Sequence, residues 1–148
     1  TELAVGFFRE RGVREVAVAG HARPAHRLRE QLFRDAWQSV GTLLFPPDDT
    51  PGEYRPERGI YFTCGAAALA AAEAYHAETG RELGRDYPVL CFDGHPLFVD
   101  RPHRNLPTLA INLRLAGVAA AEECLRRITC PGSASRRIYI APELYPGE

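Results

Sequence analysis

Two side chains that can do chemistry stand directly after short apolar runs of this sequence. The run "YPVLCF" leads into Asp93, and the run "IYFT" leads into Cys64. An ionised carboxylate accepts hydrogen bonds from two neighbouring hydroxyls, which would suit a polyol ligand. Asp93 is followed by Gly-His-Pro, however, and Asp-Gly is also common turn chemistry. Position alone leaves both roles of Asp93 open, turn former and ligand contact.

Cys64 raises an enzymatic alternative. It stands between a predicted strand and a predicted helix, where the partial positive charge of a helix N-terminus favours a thiolate. Together with Asp93 and His95 near the next strand end, it suggests a Cys-His-acid hydrolase. A nucleophile elbow has a glycine two residues before the nucleophile, and Phe62 occupies that position here. The hydrolase is therefore the weaker alternative, and we expect a protein that is not an enzyme.

The histidines and cysteines form no metal motif that the sequence alone reveals. His21 and His26 in "HARPAH" are a close pair, but no third ligand stands nearby, so we predict no metal. The four cysteines include no CxxC pair, and the spacing of Cys124 and Cys130 leaves a disulfide open. Without a secretory signal, we expect reduced thiols in a cytoplasmic protein.

The charge balance excludes broad classes of function. The 148 residues carry a formal net charge of −1 and have an isoelectric point of about 6.5, which gives no general attraction to nucleic acid or acidic membranes. No apolar run approaches the ~20 residues of a membrane span. The chain begins at Thr1 and contains no methionine, so we expect a fragment of a longer protein. Any contact with DNA would then need a segment outside it.

Short apolar runs alternate with amphipathic segments along the chain. Strands are predicted in "EVAVAG", "TLLF", "IYFT", "YPVLCF" and "RRIYIA", and helices in "LAVGFFRERG", "AHRLREQLFRDAWQSVG", "AAALAAAEAYHAETG" and "LAGVAAAEECLRRI". Glycines 12, 41 and 80 end three of these helices, and "PPDDTPGEYRPERG" is a loop by composition. In the second helix, we expect one apolar face made of Leu28, Leu32, Phe33 and Trp37. The alternation predicts an α/β fold, a three-layer αβα arrangement with a parallel sheet covered on both faces.

That architecture groups the chemically useful residues. In open α/β sheets, ligands bind outside the carboxyl ends of the strands. Several such residues stand at the ends of predicted strands and would share one edge of the sheet. They are Gly20-His21, Phe45, Thr63-Cys64 and Asp93.

The order of these elements resembles a known family. Five segments occur in the order found in the effector-binding region of LacI/GalR-type bacterial transcription regulators. They are "RERGVREVAVAGH", "RPAHRLREQLFRDAW", the long stretch from "GIYFTCGAA" to "VLCFDGHPL", "LPTLAINLRLAGVAAAEECLRRI" and "RRIYIAPELYPGE". The strongest part runs from Gly80 to Leu97, where "G-x-x-x-x-x-D-x-x-V-x-x-F-D" and "P-L" are in register. The resemblance implies the type I periplasmic-binding-protein fold, in which two α/β lobes flank a ligand cleft.

Within that family, residues 1–148 resemble the second lobe and the segment that crosses back to the first. The resemblance implies that the helix at 113–128 belongs to a first lobe whose strands would precede Thr1. It also implies a homodimer, and DNA binding only through a head domain that this chain does not contain.

The resemblance also suggests residue roles. The family aspartate that receives sugar hydroxyls matches Asp93, and the family arginine that reaches into the cleft is matched to Arg27. Phe45 corresponds to the aromatic that lines the cleft, and Cys64 replaces a polar ligand contact, because the family's Asn-Asp falls on Cys64-Gly65. The family has a further helix where residues 46–58 form a short proline-rich loop.

From these residues we predict a ligand-sensing domain of a bacterial transcription regulator that binds a sugar-like effector without a cofactor. A solute-binding protein of a transporter is the alternative, and a Cys64-dependent hydrolase is a weaker one.

Overall fold

A six-stranded sheet organises the part of the chain that the computed structural model describes, which is residues 1–20, 22–44, 57–93 and 106–147. The elements in chain order are α1 Glu2–Glu10, β1 Glu15–Ala19, α2 Pro24–Trp37, β2 Thr42–Leu44, β3 Arg58–Phe62, α3 Gly65–Thr79, β4 Val89–Phe92, β5 Thr108–Ile111, α4 Leu113–Thr129 and β6 Pro142–Tyr145. The sheet order is β2-β1-β3-β4-β5-β6, and every neighbouring pair is parallel except β5 and β6. The predicted α/β fold is confirmed.

Alternate residues of the strands feed two separate cores, because successive strand side chains point to opposite faces of a sheet. One face carries α1 and α2 and buries Ala4, Phe7, Phe8, Val16, Val18, Phe33, Trp37, Tyr61, Leu90 and Leu109. The other face carries α3 and buries Ala17, Ile60, Phe62, Ala68, Ala72, Tyr75, Val89 and Cys91. The predicted coverage of both sheet faces is therefore present, with α3 on one side and the α1–α2 pair on the other.

Two glycines end helices as the sequence predicted. Gly12 follows α1 and Gly80 follows α3, and both have φ of +70°. Residues with a Cβ rarely adopt this left-handed conformation, which lets the chain turn back after a helix. The Gly80 N–H donates to the His76 carbonyl at 2.8 Å and so closes the last turn of α3.

The expected apolar face of α2 is wrong in part. Phe33 and Trp37 are buried, whereas Leu28 and Leu32 are 61% and 48% exposed. Consecutive residues of an α-helix lie about 100° apart around its axis, so Leu32 and Phe33 point in different directions. The sheet covers the side of Phe33 and leaves both leucines outside.

The predicted last strand is also wrong. "RRIYIA" is not a strand, and Tyr139 within it is 81% exposed. The strand forms instead at β6, where Leu144 lies opposite Leu109 and packs against the core beneath α1 and α2. The sequence analysis predicts no strand for its partner β5, which lies in the segment that the resemblance assigns to the return to the first lobe.

Helix α4 differs from the other helices because none of its residues is buried. Its first turn is capped by Asn112, whose Oδ1 accepts a hydrogen bond from the Leu115 N–H at 2.9 Å. Within the described ranges, none of the helices combines the length and apolar character needed to cross a bilayer.

Candidate ligand site at the carboxyl edge of the sheet

The carboxyl ends of β1, β3 and β4 lie side by side, because these three strands are parallel neighbours. The chain leaves them through Gly20, Thr63-Cys64 and Asp93. The structure thus brings Cys64 and Asp93 to one edge of the sheet. Phe45 and His95, the other residues named for this edge, lie outside the described residues, as does His21.

Asp93 has an unusual backbone. Its φ is 59°, and among the described non-glycine residues it alone has a positive φ. Aspartate tolerates this left-handed conformation better than most residues, and such strain clusters at functional sites at a cost of about 1–3 kcal/mol. The Asp93 N–H donates to the Leu109 carbonyl at 2.8 Å, which fixes the turn on the neighbouring strand. Asp93 therefore forms the turn and also presents a carboxylate at the sheet edge.

Arg29 from α2 holds that carboxylate. Its Nη2 lies 2.9 Å from Asp93 Oδ2, and the two side chains are 24% and 45% exposed. Its Nη1 donates to the Thr63 carbonyl at 3.3 Å, and the guanidinium carbon lies 3.8 Å from the centre of the Phe92 ring. Partly exposed ion pairs contribute only about 0–1 kcal/mol to folding, so stability alone does not account for this arrangement.

The sequence matched the cleft arginine to Arg27, which is exposed on α2. Residues that are two positions apart in an α-helix lie about 200° apart around its axis. Arg27 and Arg29 therefore leave α2 on nearly opposite sides. The structure brings Arg29, and not Arg27, to Asp93. The spacing of Arg29, Phe33 and Trp37 at i, i+4 and i+8 was the signal in the sequence that pointed to Arg29, because it places all three on the face that packs against the sheet.

His26, one turn before Arg29, reaches the same part of the edge. Its Nδ1 lies 2.7 Å from the Thr63 carbonyl oxygen, which also accepts from Arg29. The sequence alone suggests no ligand-site role for His26, which stands out there only as part of a close pair with His21. Among the described residues there is no group of three or more histidine, cysteine, aspartate or glutamate side chains that could hold a metal ion.

Helix α2 approaches the end of β1 closely at Gly20. A Cβ at this position would overlap with the carboxylate of Glu30, which pairs with Arg34 at 3.0 Å. The contact is with the far end of a flexible, partly exposed side chain that can move aside, so packing at this strand end does not require a glycine.

The two cysteines near the site differ in environment. Cys64 is the N-cap residue of α3 and is partly exposed, whereas Cys91 is buried in β4. Burial raises the pKa of the Cys91 thiol from 9.0 to about 12, and burial likewise raises the pKa of Tyr61 from 10.0 to about 12. Both buried groups are therefore neutral at physiological pH and add no charge beside the Arg29–Asp93 pair.

The arrangement can bind hydroxyl groups. A carboxylate accepts from two hydroxyls, and a guanidinium donates to hydroxyl or ring oxygens. Because the opposite charges of Arg29 and Asp93 balance, the pair suits a neutral polar ligand better than an ion.

Comparison with known protein families gives one result. The family model described as the periplasmic binding protein-like domain matches residues 5–148, which includes every strand of the sheet. No curated protein and no solved structure matches the chain.

Proposed function

The chain belongs to the periplasmic binding protein-like domain family, and we propose that it binds a small, neutral, sugar-like metabolite at the carboxyl edge of its sheet. The observation that carries this proposal is the ion pair between Arg29 and Asp93, at 2.9 Å with both side chains partly exposed. Ligand hydroxyls would share the Asp93 carboxylate with Arg29. Cys64 and Phe45 stay proposed as further contacts, and Arg29 takes the role that the resemblance suggested for Arg27.

We propose that the domain serves as the ligand sensor of a bacterial transcription regulator. The order of motifs resembles LacI/GalR-type regulators, and the net charge of −1 agrees with DNA binding through a separate head domain. Ligand binding would act by its different affinity for two poses of a two-lobed protein, since a ligand with equal affinity for both poses shifts neither. The regulator would be a cytoplasmic homodimer.

A solute-binding protein of a transporter is the second candidate, because the matched family is described as periplasmic binding protein-like. The full gene product discriminates between the two. A helix-turn-helix module would support the sensor, and a signal peptide would support the transporter component.

A thermal-shift screen tests the ligand class. Neutral aldoses such as D-ribose, D-xylose, D-glucose and D-galactose are compared with the corresponding aldonic acids and with amino acids. A ligand that binds only the folded state stabilises it by RT ln(1 + [L]/Kd), about 2.7 kcal/mol at a hundredfold excess over Kd. We expect stabilisation by at least one neutral aldose and a smaller effect of its acid. Stabilisation by amino acids alone would contradict the proposed ligand class.

We also propose that the domain does no chemistry, so Cys64 would act as a contact and not as a nucleophile. Iodoacetamide should then modify Cys64 no faster than the exposed Cys124 and Cys130 at neutral pH. Rapid and selective labelling of Cys64, followed by mass spectrometry of its peptide, would favour the hydrolase instead.

A further inference from the structure

We propose that His26 is a positioning residue that fixes the Arg29 guanidinium against Asp93, an inference that rests on the proposed ligand site. His26 and Arg29 are three residues apart on α2, so their side chains leave the same face of the helix. Both side chains reach the Thr63 carbonyl oxygen, His26 through Nδ1 at 2.7 Å and Arg29 through Nη1 at 3.3 Å.

The shared carbonyl determines where the imidazole carries its proton. A carbonyl oxygen only accepts hydrogen bonds, so Nδ1 of His26 must be protonated to make the 2.7 Å contact. The oxygen has two lone pairs and can accept from both side chains at once. His26 Nδ1 is therefore the donor to the Thr63 carbonyl, and this single donor atom carries the positioning role.

Thr63 is a rigid anchor for this pair of donors. The residue is fully buried, its N–H donates to the Ala19 carbonyl at 3.1 Å, and its Oγ1 lies 3.4 Å from the same oxygen. Its carbonyl is thus fixed by the sheet and does not follow the movements of α2. A donor on α2 that binds this carbonyl therefore fixes the position of the helix relative to the sheet edge.

The first turn of α2 benefits from such an anchor. The N-cap residue Arg23 makes no side-chain capping hydrogen bond, and the first turn contains no acidic residue. Helix ends without these features fray more easily. The bond between His26 and Thr63 holds this turn on β3, and Arg29 in the next turn then meets Asp93 at the observed distance of 2.9 Å.

Three variants at one position test the inference. Asn places an amide N–H where His26 has Nδ1, Gln places one where the ring has Nε2, and Ala has no donor. The first measurement uses the ligand-free protein and follows the Arg29 Nε–Hε signal by ¹H–¹⁵N NMR, assigned by its loss in Arg29→Lys. We expect a dispersed, slowly exchanging Arg29 signal in the wild type and His26→Asn, and a signal typical of exposed arginines in His26→Gln and His26→Ala.

The second measurement is the affinity for the neutral aldose that most stabilises the wild type. His26→Ala and His26→Gln should weaken binding about three- to tenfold, the range expected for one lost hydrogen bond, while His26→Asn stays within about twofold of the wild type. Restoration by Gln and not by Asn would overturn the inference, because it would show that Nε2 acts. An unchanged Arg29 signal in all three variants would also overturn it.

The two measurements separate this inference from the proposed ligand class. If no aldose binds the wild type, the sugar proposal fails, yet the ligand-free Arg29 signal still decides whether His26 positions Arg29. If His26→Ala does not fold, as judged by circular dichroism, the comparison of Asn with Gln carries the test alone.

Discussion

Helices α2 and α4 are similar in length, but they differ in what holds them. Helix α2 buries Phe33 and Trp37, and its residue Arg29 pairs with Asp93, which lies 64 positions later in the chain. Helix α4 buries nothing, and the ion pairs described for it stay within its own last turns, where Glu123 contacts Arg126 and Arg127. Tertiary contacts therefore stabilise α2, whereas local contacts dominate α4.

The charges of α4 show how strong the local contacts are. The hydrogen bond from Arg126, with a further bond from Arg127, lowers the pKa of Glu123 from 4.5 to about 2. Arg126 also donates to the Ala134 carbonyl at 2.8 Å, which holds the segment after the helix. Glu123 and Arg126 are partly exposed and Arg127 is exposed, and their contacts shape the end of α4 without anchoring it to the sheet.

The exposed apolar residues of α4 suggest that another surface covers them, and the described residues do not supply it. The helix exposes Leu113, Leu115, Val118, Leu125 and Ile128. Apolar burial is worth roughly 25 cal/mol per Å², so a partner that covers these side chains would stabilise the helix strongly. We propose two partners, a first lobe as in the resembled regulators or, for this chain alone, a second copy.

The largest expected effect is on the free energy of unfolding, which should respond to a substitution in α2 and much less to one in α4. Trp37→Ala should lower the free energy of unfolding by about 3–5 kcal/mol, because it removes a fully buried aromatic residue. Leu125→Ala in α4 should change it by less than about 0.5 kcal/mol, since Leu125 is exposed. Urea unfolding of both variants, at a concentration where the protein is monomeric, measures the difference. A loss above about 2 kcal/mol for Leu125→Ala would show that α4 is packed within the monomer.

Alkaline pH should weaken the core beneath α3. Above pH 9 the unfolded chain releases the Cys91 proton, whereas the folded chain keeps it until its raised pKa of about 12. The folded state then binds more protons, so the free energy of unfolding is unaffected below pH 9 and falls by up to about 1.4 kcal/mol per pH unit above it. Urea unfolding between pH 8 and 11 measures this slope, and Cys91→Ala should show a flatter one. An identical slope in Cys91→Ala would contradict the assignment.

Removal of the site carboxylate should affect binding more than folding. Asp93→Asn keeps a residue that tolerates positive φ and removes the charge, so binding of the best neutral aldose should weaken at least tenfold, about 1.5–3 kcal/mol. Asp93→Ala should weaken binding equally and also lose about 1 kcal/mol of stability through backbone strain. Calorimetric titration and thermal unfolding separate the two effects. Wild-type affinity in Asp93→Asn would exclude Asp93 from the site.

A substitution on the exposed apolar face of α4 should change stability least and self-association of the chain most. We expect the wild-type chain to self-associate at tens of micromolar through α4, and Ile128→Glu should return it to a monomer with little change in unfolding at low concentration. Light scattering coupled to size exclusion measures the mass. Leu32→Glu on the exposed face of α2 is the matched control and should leave the mass unchanged. A wild-type monomer that binds a sugar tightly would contradict both the association and the partner proposed for α4.

The sequence by itself determined most of the fold and part of the site. Continuous apolar runs such as Val16-Ala17-Val18, the glycines after α1 and α3, and the carboxylate after β4 are local features of the sequence, and each indicates a strand, a helix end or a turn by itself. They were enough for the α/β class and for the position of Asp93 at the sheet edge.

Only the tertiary structure decided which residues meet. Its spacing from Phe33 and Trp37 places Arg29 on the buried face of α2, but only the packing of α2 on the sheet brought Arg29 to Asp93. In the same way, "RRIYIA" has an apolar pattern as good as that of "PELY", but only the latter lies beside the free edge of β5. Pairing depends on partners that are distant along the chain, and a local pattern holds no information about which distant partner is within reach.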